Sequence, residues 1–170
     1  DEHHGFKIIT DKIKTTNKVK LLWTIAILSF FFSALLDNLT TAIVMISLLR
    51  KLVGDKQTRW LFAGVVVIAA NAGGAWSVIG DVTTTMLWIG GQLTDPIGIA
   101  IPSLIIPSFV ALLVPLTILS FTVKGEVNRP KDDSSNGNKF DTTKGEKITL
   151  LVVGVLGLLF VPVFKTLTHL

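Results

Sequence analysis

The chain has 170 residues, of which 49% are hydrophobic and only 16% charged, with a formal net charge of +4 and no cysteine. A soluble domain of this length carries more surface charge, and the lack of cysteine excludes a disulfide framework, a thiolate metal site and a cysteine nucleophile. The Lys and Arg residues cluster between apolar stretches of bilayer length, which predicts an all-α integral membrane protein and disfavours a nucleic-acid-binding face.

The first predicted elements are a polar segment at 1–20, expected at the cytoplasmic interface of the membrane, and a re-entrant helical hairpin at 21–53. The apolar run of the hairpin is interrupted by Asp-Asn-Leu-Thr-Thr at 37–41 and has basic clusters on both flanks. Because Lys and Arg mark the cytoplasmic side, two basic flanks predict that the chain enters the membrane and returns to the same side. Non-helical backbone at membrane depth is tolerated only inside protein or beside a cavity, so the polar turn predicts a site.

The next predicted element is a broken transmembrane helix at 60–93. Its apolar ends flank the polar, glycine-rich sequence "NAGGAWSVIGDVTTT". One continuous helix over this range would measure about 51 Å, well beyond a hydrocarbon core of about 30 Å. Two half-helices with an unwound centre fit better, and Gly73, Gly74 and Gly80 are expected to supply the backbone freedom for the break.

Three further segments follow. A proline-containing transmembrane helix is predicted at 97–123, a disordered cytoplasmic linker at 124–147, and a last transmembrane helix at 148–167. The chain begins at Asp1 with neither an initiator Met nor a signal peptide, which indicates a piece of a longer protein.

Asp37 and Asp81 are the two ionisable residues inside the predicted membrane region. Each carboxylate costs about 2.5–3.5 kcal/mol near the bilayer centre, and no Lys or Arg lies nearby in either segment to offset that cost. Each could simply cap the N-terminus of a half-helix, but a cap can also be a ligand. Oxygen-bearing side chains surround both: Asn38, Thr40 and Thr41 near the first, and Asn71, Ser77, Thr83 and Thr84 near the second.

This chemistry favours a transported cation. Carboxylate, amide and hydroxyl oxygens suit a small alkali ion, and broken helices meeting near the midplane are how many secondary transporters build their sites. A carboxylate at low dielectric can be neutralised by a proton or by Na⁺, and competition between the two is the minimal device for antiport. All three His lie near the chain ends, far from both polar breaks, so we predict no enzyme and no cofactor beyond the transported Na⁺ and H⁺.

Two stretches carry a family resemblance. "SALLDNLTTAIVMISLLRKLV" and "IAANAGGAWSVIGDVTTTMLWIGG" resemble the signature sequences of NhaD-type sodium/proton antiporters in the ion transporter superfamily, over roughly residues 1–121. The resemblance implies two inverted repeats, of which this chain holds one, with the second repeat of the full-length chain and possibly a homodimer as partners. It implies these cation-site residues: Asp37, Asn38, Thr40, Asn71, Gly73, Gly74, Ser77, Asp81 and Thr83.

The expected function is exchange of Na⁺, possibly Li⁺, for H⁺. One alternative is an arsenite or di- and tricarboxylate transporter of the same superfamily, which the two aspartates disfavour because a carboxylate repels an anion. The other is a non-transporting membrane subunit or fragment, which would tolerate replacement of both aspartates. The resemblance implies a bacterial inner membrane, which we favour, or a chloroplast envelope.

Overall fold

A computed structural model of the chain describes residues 15–93, 101–128, 130, 149, 152–154, 156, 157 and 160. Within that part of the chain there is no β-strand, and the long elements are the helices α1 Lys18–Leu35, α2 Asn38–Leu52, α3 Lys56–Ala75, α4 Val82–Ile89 and α5 Ile101–Thr122. The predicted all-α class is confirmed. Most of the predicted segments 1–20, 124–147 and 148–167 lies outside the described residues.

The helices α1 and α2 form a hairpin. The chain leaves α1 at Leu35 and, after two extended residues, starts α2. The outer ends of both helices meet the strap, which we define as residues 124–128: the Val127 amide donates to the Thr16 carbonyl at 2.7 Å, and the Gly54 amide donates to the Asn128 carbonyl at 2.8 Å. The two helices are therefore antiparallel, and their outer ends share one end of the bundle.

The base of the bundle is the end where residues 16–18, 53–55 and the strap meet, and the tip is the opposite end, formed by residues 36–38 and the loop 76–81. The positions of base and tip relative to a bilayer stay a prediction.

The core lies around α3, which packs against α1, α2 and α5. Buried residues of α1 recur in pairs every four positions, from Leu21 and Leu22 to Ser33 and Ala34, so they form one stripe that faces α3. The side chains of this stripe become smaller toward the tip, where Ser33 and Ala34 take the place of the leucine and isoleucine residues near the base. Small side chains let the helix backbones approach closely, as membrane helices commonly do.

Helices α1, α3 and α5 are each long and apolar enough to cross a membrane. Their outer surfaces are apolar as well: Phe121 at the end of α5 is 77% exposed and Ile106 is 69% exposed. Exposed hydrocarbon on this scale suits contact with lipid or with further protein. The helix predicted at 97–123 is observed as α5, and its residues 97–100 lie outside the described part.

Two expectations need correction. The strap belongs to the predicted disordered linker, yet its backbone bonds to both ends of the hairpin and Val127 is buried, so disorder is wrong for residues 124–128. The proposed role of the glycines in the break is also wrong for Gly73 and Gly74. Both lie inside α3, which stays helical to Ala75, and the described glycines with positive φ are Gly91 and Gly125.

Candidate cation site at the tip

The hairpin turn is closed by Asp37, which caps α2. Its Oδ1 accepts the Thr40 amide at 2.7 Å and its Oδ2 accepts the Thr40 hydroxyl at 2.6 Å. The preceding turn is finished by the Leu36 amide, which donates to the Phe32 carbonyl at 2.7 Å. Asp37 is half-buried, and both of its carboxylate oxygens are used within its own helix.

The break in the second element is closed by Asp81, which caps α4. Its Oδ1 accepts both the amide of Thr83, at 2.8 Å, and the hydroxyl of Thr83, at 2.6 Å. Thr85 folds the loop back, since its hydroxyl donates to the carbonyls of Val78 at 2.7 Å and Asp81 at 2.9 Å. Capping with one oxygen leaves Oδ2 of Asp81 free to accept from another element.

Asn38 makes that connection. Its Nδ2 donates to Asp81 Oδ2 and to Asn71 Oδ1, both at 3.1 Å, and its backbone amide donates to the Gly80 carbonyl, also at 3.1 Å. Asn71 is oriented for this contact because its own Nδ2 donates to the Val67 carbonyl at 2.8 Å. The side-chain amide of Asn38 therefore joins the hairpin, α3 and the start of α4 in a single polar cluster.

The glycines serve close packing. A Cβ added at Gly73 would collide with the Phe30 carbonyl, and one added at Gly74 would collide with the carbonyl of Gly80. A Cβ at Gly80 would in turn collide with the Ser33 carbonyl. The absence of side chains at these positions brings the end of α1 and both sides of the break together, which places Asn38 within reach of its partners.

Ser77 and Trp76 hold the loop to α1. The Ser77 hydroxyl donates to the Ala34 carbonyl at 2.6 Å, so it bonds the hairpin rather than the Asn38 cluster. Trp76 stacks on Phe30 with ring centroids 6.2 Å apart, so it packs the loop against α1.

The predicted site residues thus fall into three groups. Asn38, Asn71, Asp81 and Thr83 form one hydrogen-bonded cluster, Asp37 and Thr40 bond each other beside it, and Gly73, Gly74 and Ser77 pack the backbone. Whether any of them binds a cation stays a prediction.

No basic side chain of the described ranges bonds the two carboxylates at the tip. Within the described ranges, Asp37 and Asp81 bond only hydroxyl, amide and backbone donors. The same ranges hold no group of three His, Cys, Asp or Glu, so the available donors are carboxylate, amide, hydroxyl and carbonyl oxygens. Hard oxygen donors suit an alkali or alkaline-earth ion and not a soft transition metal.

Two further polar residues lie in this region: Thr41, which the sequence places near Asp37 but which is not among the nine predicted cation-site residues, and Ser33. Thr41 is fully buried, and its Oγ1 has no hydrogen-bond partner among the described residues. Ser33 is also fully buried, and its Oγ donates to the Ala70 carbonyl at 2.5 Å. The only sequence signal for Ser33 is a small polar residue in an apolar run, one helical turn before Asp37.

The fold and the site together define an all-α integral membrane protein in which a helical hairpin meets a broken helix at a polar cluster. The chain belongs to the CitMHS citrate transporter family, which matches residues 1–169. This family match extends beyond residue 121, near which the NhaD-type resemblance was predicted to end.

Curated relatives agree with the NhaD-type resemblance, which is confirmed. The chain is 50% identical to sodium/proton antiporter 1 of Arabidopsis thaliana and 45% identical to sodium/proton antiporter 2 of the same plant, each over 100% of this chain. It is 42% identical over 61% of its length to the Na(+)/H(+) antiporter NhaD of Alkalimonas amylolytica. The chain spans 29%, 40% and 21% of these three relatives, in that order. No solved structure matches the chain.

Proposed function

We propose that the full-length protein exchanges Na⁺, and possibly Li⁺, for H⁺, and that Asp37 and Asp81 bind the cation and the proton in turn. The observation that carries this proposal is the cluster in which Asn38 joins Asn71 to Asp81, beside a second carboxylate, with no Lys or Arg bonded to either acid in the described ranges. Two carboxylates at membrane depth need a positive charge, and a cation or a proton can supply it. Because the cation and the proton compete for the same oxygens, binding of one releases the other, which is the minimal requirement for exchange.

The other predicted residues receive supporting roles. We propose that Asn38, Thr40, Asn71 and Thr83 supply or orient oxygen ligands, and that Gly73, Gly74 and Ser77 hold the backbone that carries them. Asn71 and Thr83 are exposed in this chain. Their exposed sides support a site that the second repeat of the full-length chain completes.

The second candidate is citrate transport, which the family's description favours. Helix N-termini bind anions, and the N-termini of α2 and α4 both lie at the tip. Here, however, Asp37 and Asp81 already occupy those N-termini with their own carboxylates. A tricarboxylate would meet two negative charges instead of open amides, which supports the cation proposal over the anion one.

The membrane that holds the protein is also a proposal. The base carries the basic residues Lys18, Arg50, Lys51 and Lys56, which supports a cytoplasmic or equivalent position for the base. The two plant relatives match the whole chain, whereas the Alkalimonas relative matches 61% of it. Complete coverage by plant sequences supports the chloroplast envelope more than the bacterial inner membrane that the sequence favoured.

The test uses the full-length protein in inverted membrane vesicles with an imposed pH gradient, followed by a pH-sensitive dye. Na⁺, Li⁺, K⁺ and citrate are added in turn to wild type, Asp37→Asn, Asp81→Asn and the control Asp55→Asn, a capping aspartate at the base. We expect Na⁺ to collapse the gradient in wild type and control and in neither tip variant. A response to citrate alone would contradict the proposal, and so would tip variants that behave like wild type.

A further inference from the structure

The Ser33 hydroxyl differs from the other serine and threonine hydroxyls of α1. Thr24 and Ser29 each donate to the carbonyl four residues earlier in their own helix, at 2.8 Å and 2.7 Å. Ser33 instead donates across to α3, to the Ala70 carbonyl at 2.5 Å. Ser29 and Ser33 are equally buried on the same face of the same helix, so the difference lies in the partner.

Ser33 contacts the backbone on both sides of the break. Ala70, which accepts its hydrogen bond, directly precedes Asn71. A Cβ at Gly74 would lie 3.2 Å from Ser33 Oγ, and a Cβ at Gly80, which directly precedes Asp81, would collide with the Ser33 carbonyl. One residue of α1 therefore sets the position of the two backbone segments that present Asn71 and Asp81 to Asn38.

We propose that Ser33 is a positioning residue of the cation site, acting through the backbones of Ala70 and Gly80 to set the spacing between Asn71 and Asp81; this rests on the proposed function. Ser33 acts on the ligands and does not itself bind the cation. Its loss changes the spacing of the ligands, so the affinity for the cation and the preference between Na⁺ and Li⁺ change together. A residue that only stabilises the fold would change neither quantity in the protein that remains folded.

The test compares Ser33→Ala with Ser29→Ala in the full-length protein in the vesicle assay. The measured quantities are the Na⁺ and Li⁺ concentrations that give half of the maximal collapse of the pH gradient. For Ser33→Ala we expect about a three- to tenfold rise in the Na⁺ value, typical of losing one hydrogen bond between membrane helices, and a changed ratio of the two values. Ser29→Ala is expected to keep both values of wild type.

A second variant, Ser33→Cys, keeps a weak donor on a somewhat larger atom, and is expected to fall between wild type and Ser33→Ala. Ser33 variants that lower the amount of folded protein but leave both concentrations at wild-type values would overturn the inference, because they would show a structural role only. Wild type that gives no Na⁺ response would instead refute the proposed function, so the two failures are distinguishable.

Discussion

The tip and the base of the bundle begin a helix with the same local motif. Asp37 and Thr40 cap α2 at the tip, and Asp55 and Thr58 cap α3 at the base. In both, the threonine amide and hydroxyl donate to the aspartate, with the hydroxyl bond at 2.6 Å. At the level of sequence and hydrogen bonding within the helix, the two caps are almost the same.

What packs against each cap is different. At the base, Asp55 is exposed, and the elements are joined by backbone bonds such as that from Lys18 to Gly125, at 3.1 Å. At the tip, the elements are joined by the Asn38 side chain and by glycines that leave no room for a Cβ. The backbone bonds at the base involve no ionisable group, whereas the cluster at the tip contains the carboxylate of Asp81. A capping aspartate therefore becomes a candidate ligand only through its tertiary neighbours.

The largest loss of stability is expected from adding a methyl group to Gly73, close to the tip. Gly73→Ala places its Cβ against the Phe30 carbonyl, so the two helices must separate, and we expect about 3 kcal/mol or more of destabilisation. The matched control is Gly64→Ala in the same helix, where nothing lies within 4 Å of the added Cβ. The control should be neutral or stabilising by up to about 1 kcal/mol. Thermal unfolding of the purified full-length protein in detergent measures both, and equal midpoints would contradict the close packing.

The next effect concerns Asn38 and which of the two aspartates at the tip it is coupled to. Asn38 bonds Asp81 and has no side-chain bond to Asp37, its neighbour in the chain. In double-mutant cycles on unfolding free energy, we expect a coupling of about 1–2 kcal/mol between Asn38→Ala and Asp81→Ala. The cycle of Asn38→Ala with Asp37→Ala serves as the control and should give less than about 0.5 kcal/mol. Equal couplings in both cycles would mean that Asn38 does not distinguish the two carboxylates.

Much of this arrangement could be predicted from sequence. A charged residue inside an apolar run locates the hairpin turn at Asp37, and the basic residues on both flanks predict its antiparallel course. The helical state of Gly73 and Gly74 could not be predicted, because glycine is permissive locally and its close contacts with Phe30 and Gly80 are tertiary. The same limit applies to the strap, whose composition is that of a linker but whose bonds are to residues far away in the chain.

In the candidate site, too, the residue types can be predicted from the sequence and the tertiary contacts cannot. The oxygen-bearing residues are visible in the sequence, but their grouping is not. Ser77 was expected among the ligands, but in the structure its hydroxyl donates a hydrogen bond to the Ala34 carbonyl. Ser33 lies one helical turn closer to Asp37 than Ser29 does, but the sequence does not show which carbonyl each hydroxyl meets, because that depends on the position of α3.

A smaller effect is expected at Thr41, whose buried hydroxyl has no partner in the described part of the chain. Replacing it with the isosteric valine removes an unpaired polar group, so Thr41→Val should be neutral or stabilise the protein by up to about 1 kcal/mol. Thr58→Val at the base is the comparison, because it removes a hydroxyl that donates to Asp55 at 2.6 Å and should destabilise. Thermal unfolding measures both variants. A loss at Thr41 as large as that at Thr58 would show that its hydroxyl is bonded in the full-length protein.

The smallest effect is a pH dependence confined to the base. The hydrogen bond from the Thr58 hydroxyl, followed by that from its amide, lowers the pKa of Asp55 below its ordinary value of 3.8. A carboxyl group whose pKa is lower in the folded state stabilises the protein above its unfolded pKa, and loses that effect as the pH falls through the folded value. Asparagine also caps helices but does not titrate. The difference in unfolding midpoint between wild type and Asp55→Asn should therefore be constant above about pH 5 and shrink below pH 3.8.

Thr58→Ala is the control for this pH dependence, because it removes the hydroxyl that contributes most to lowering the pKa of Asp55. In that background, the difference between Asp and Asn at position 55 should be smaller at neutral pH and should change less on acidification. Because Asp55 is exposed, both differences should also decrease at high salt to the extent that they depend on the charge of Lys18. If the difference in unfolding midpoint between wild type and Asp55→Asn stays constant from pH 7 to below pH 3, the charge of Asp55 does not contribute to stability.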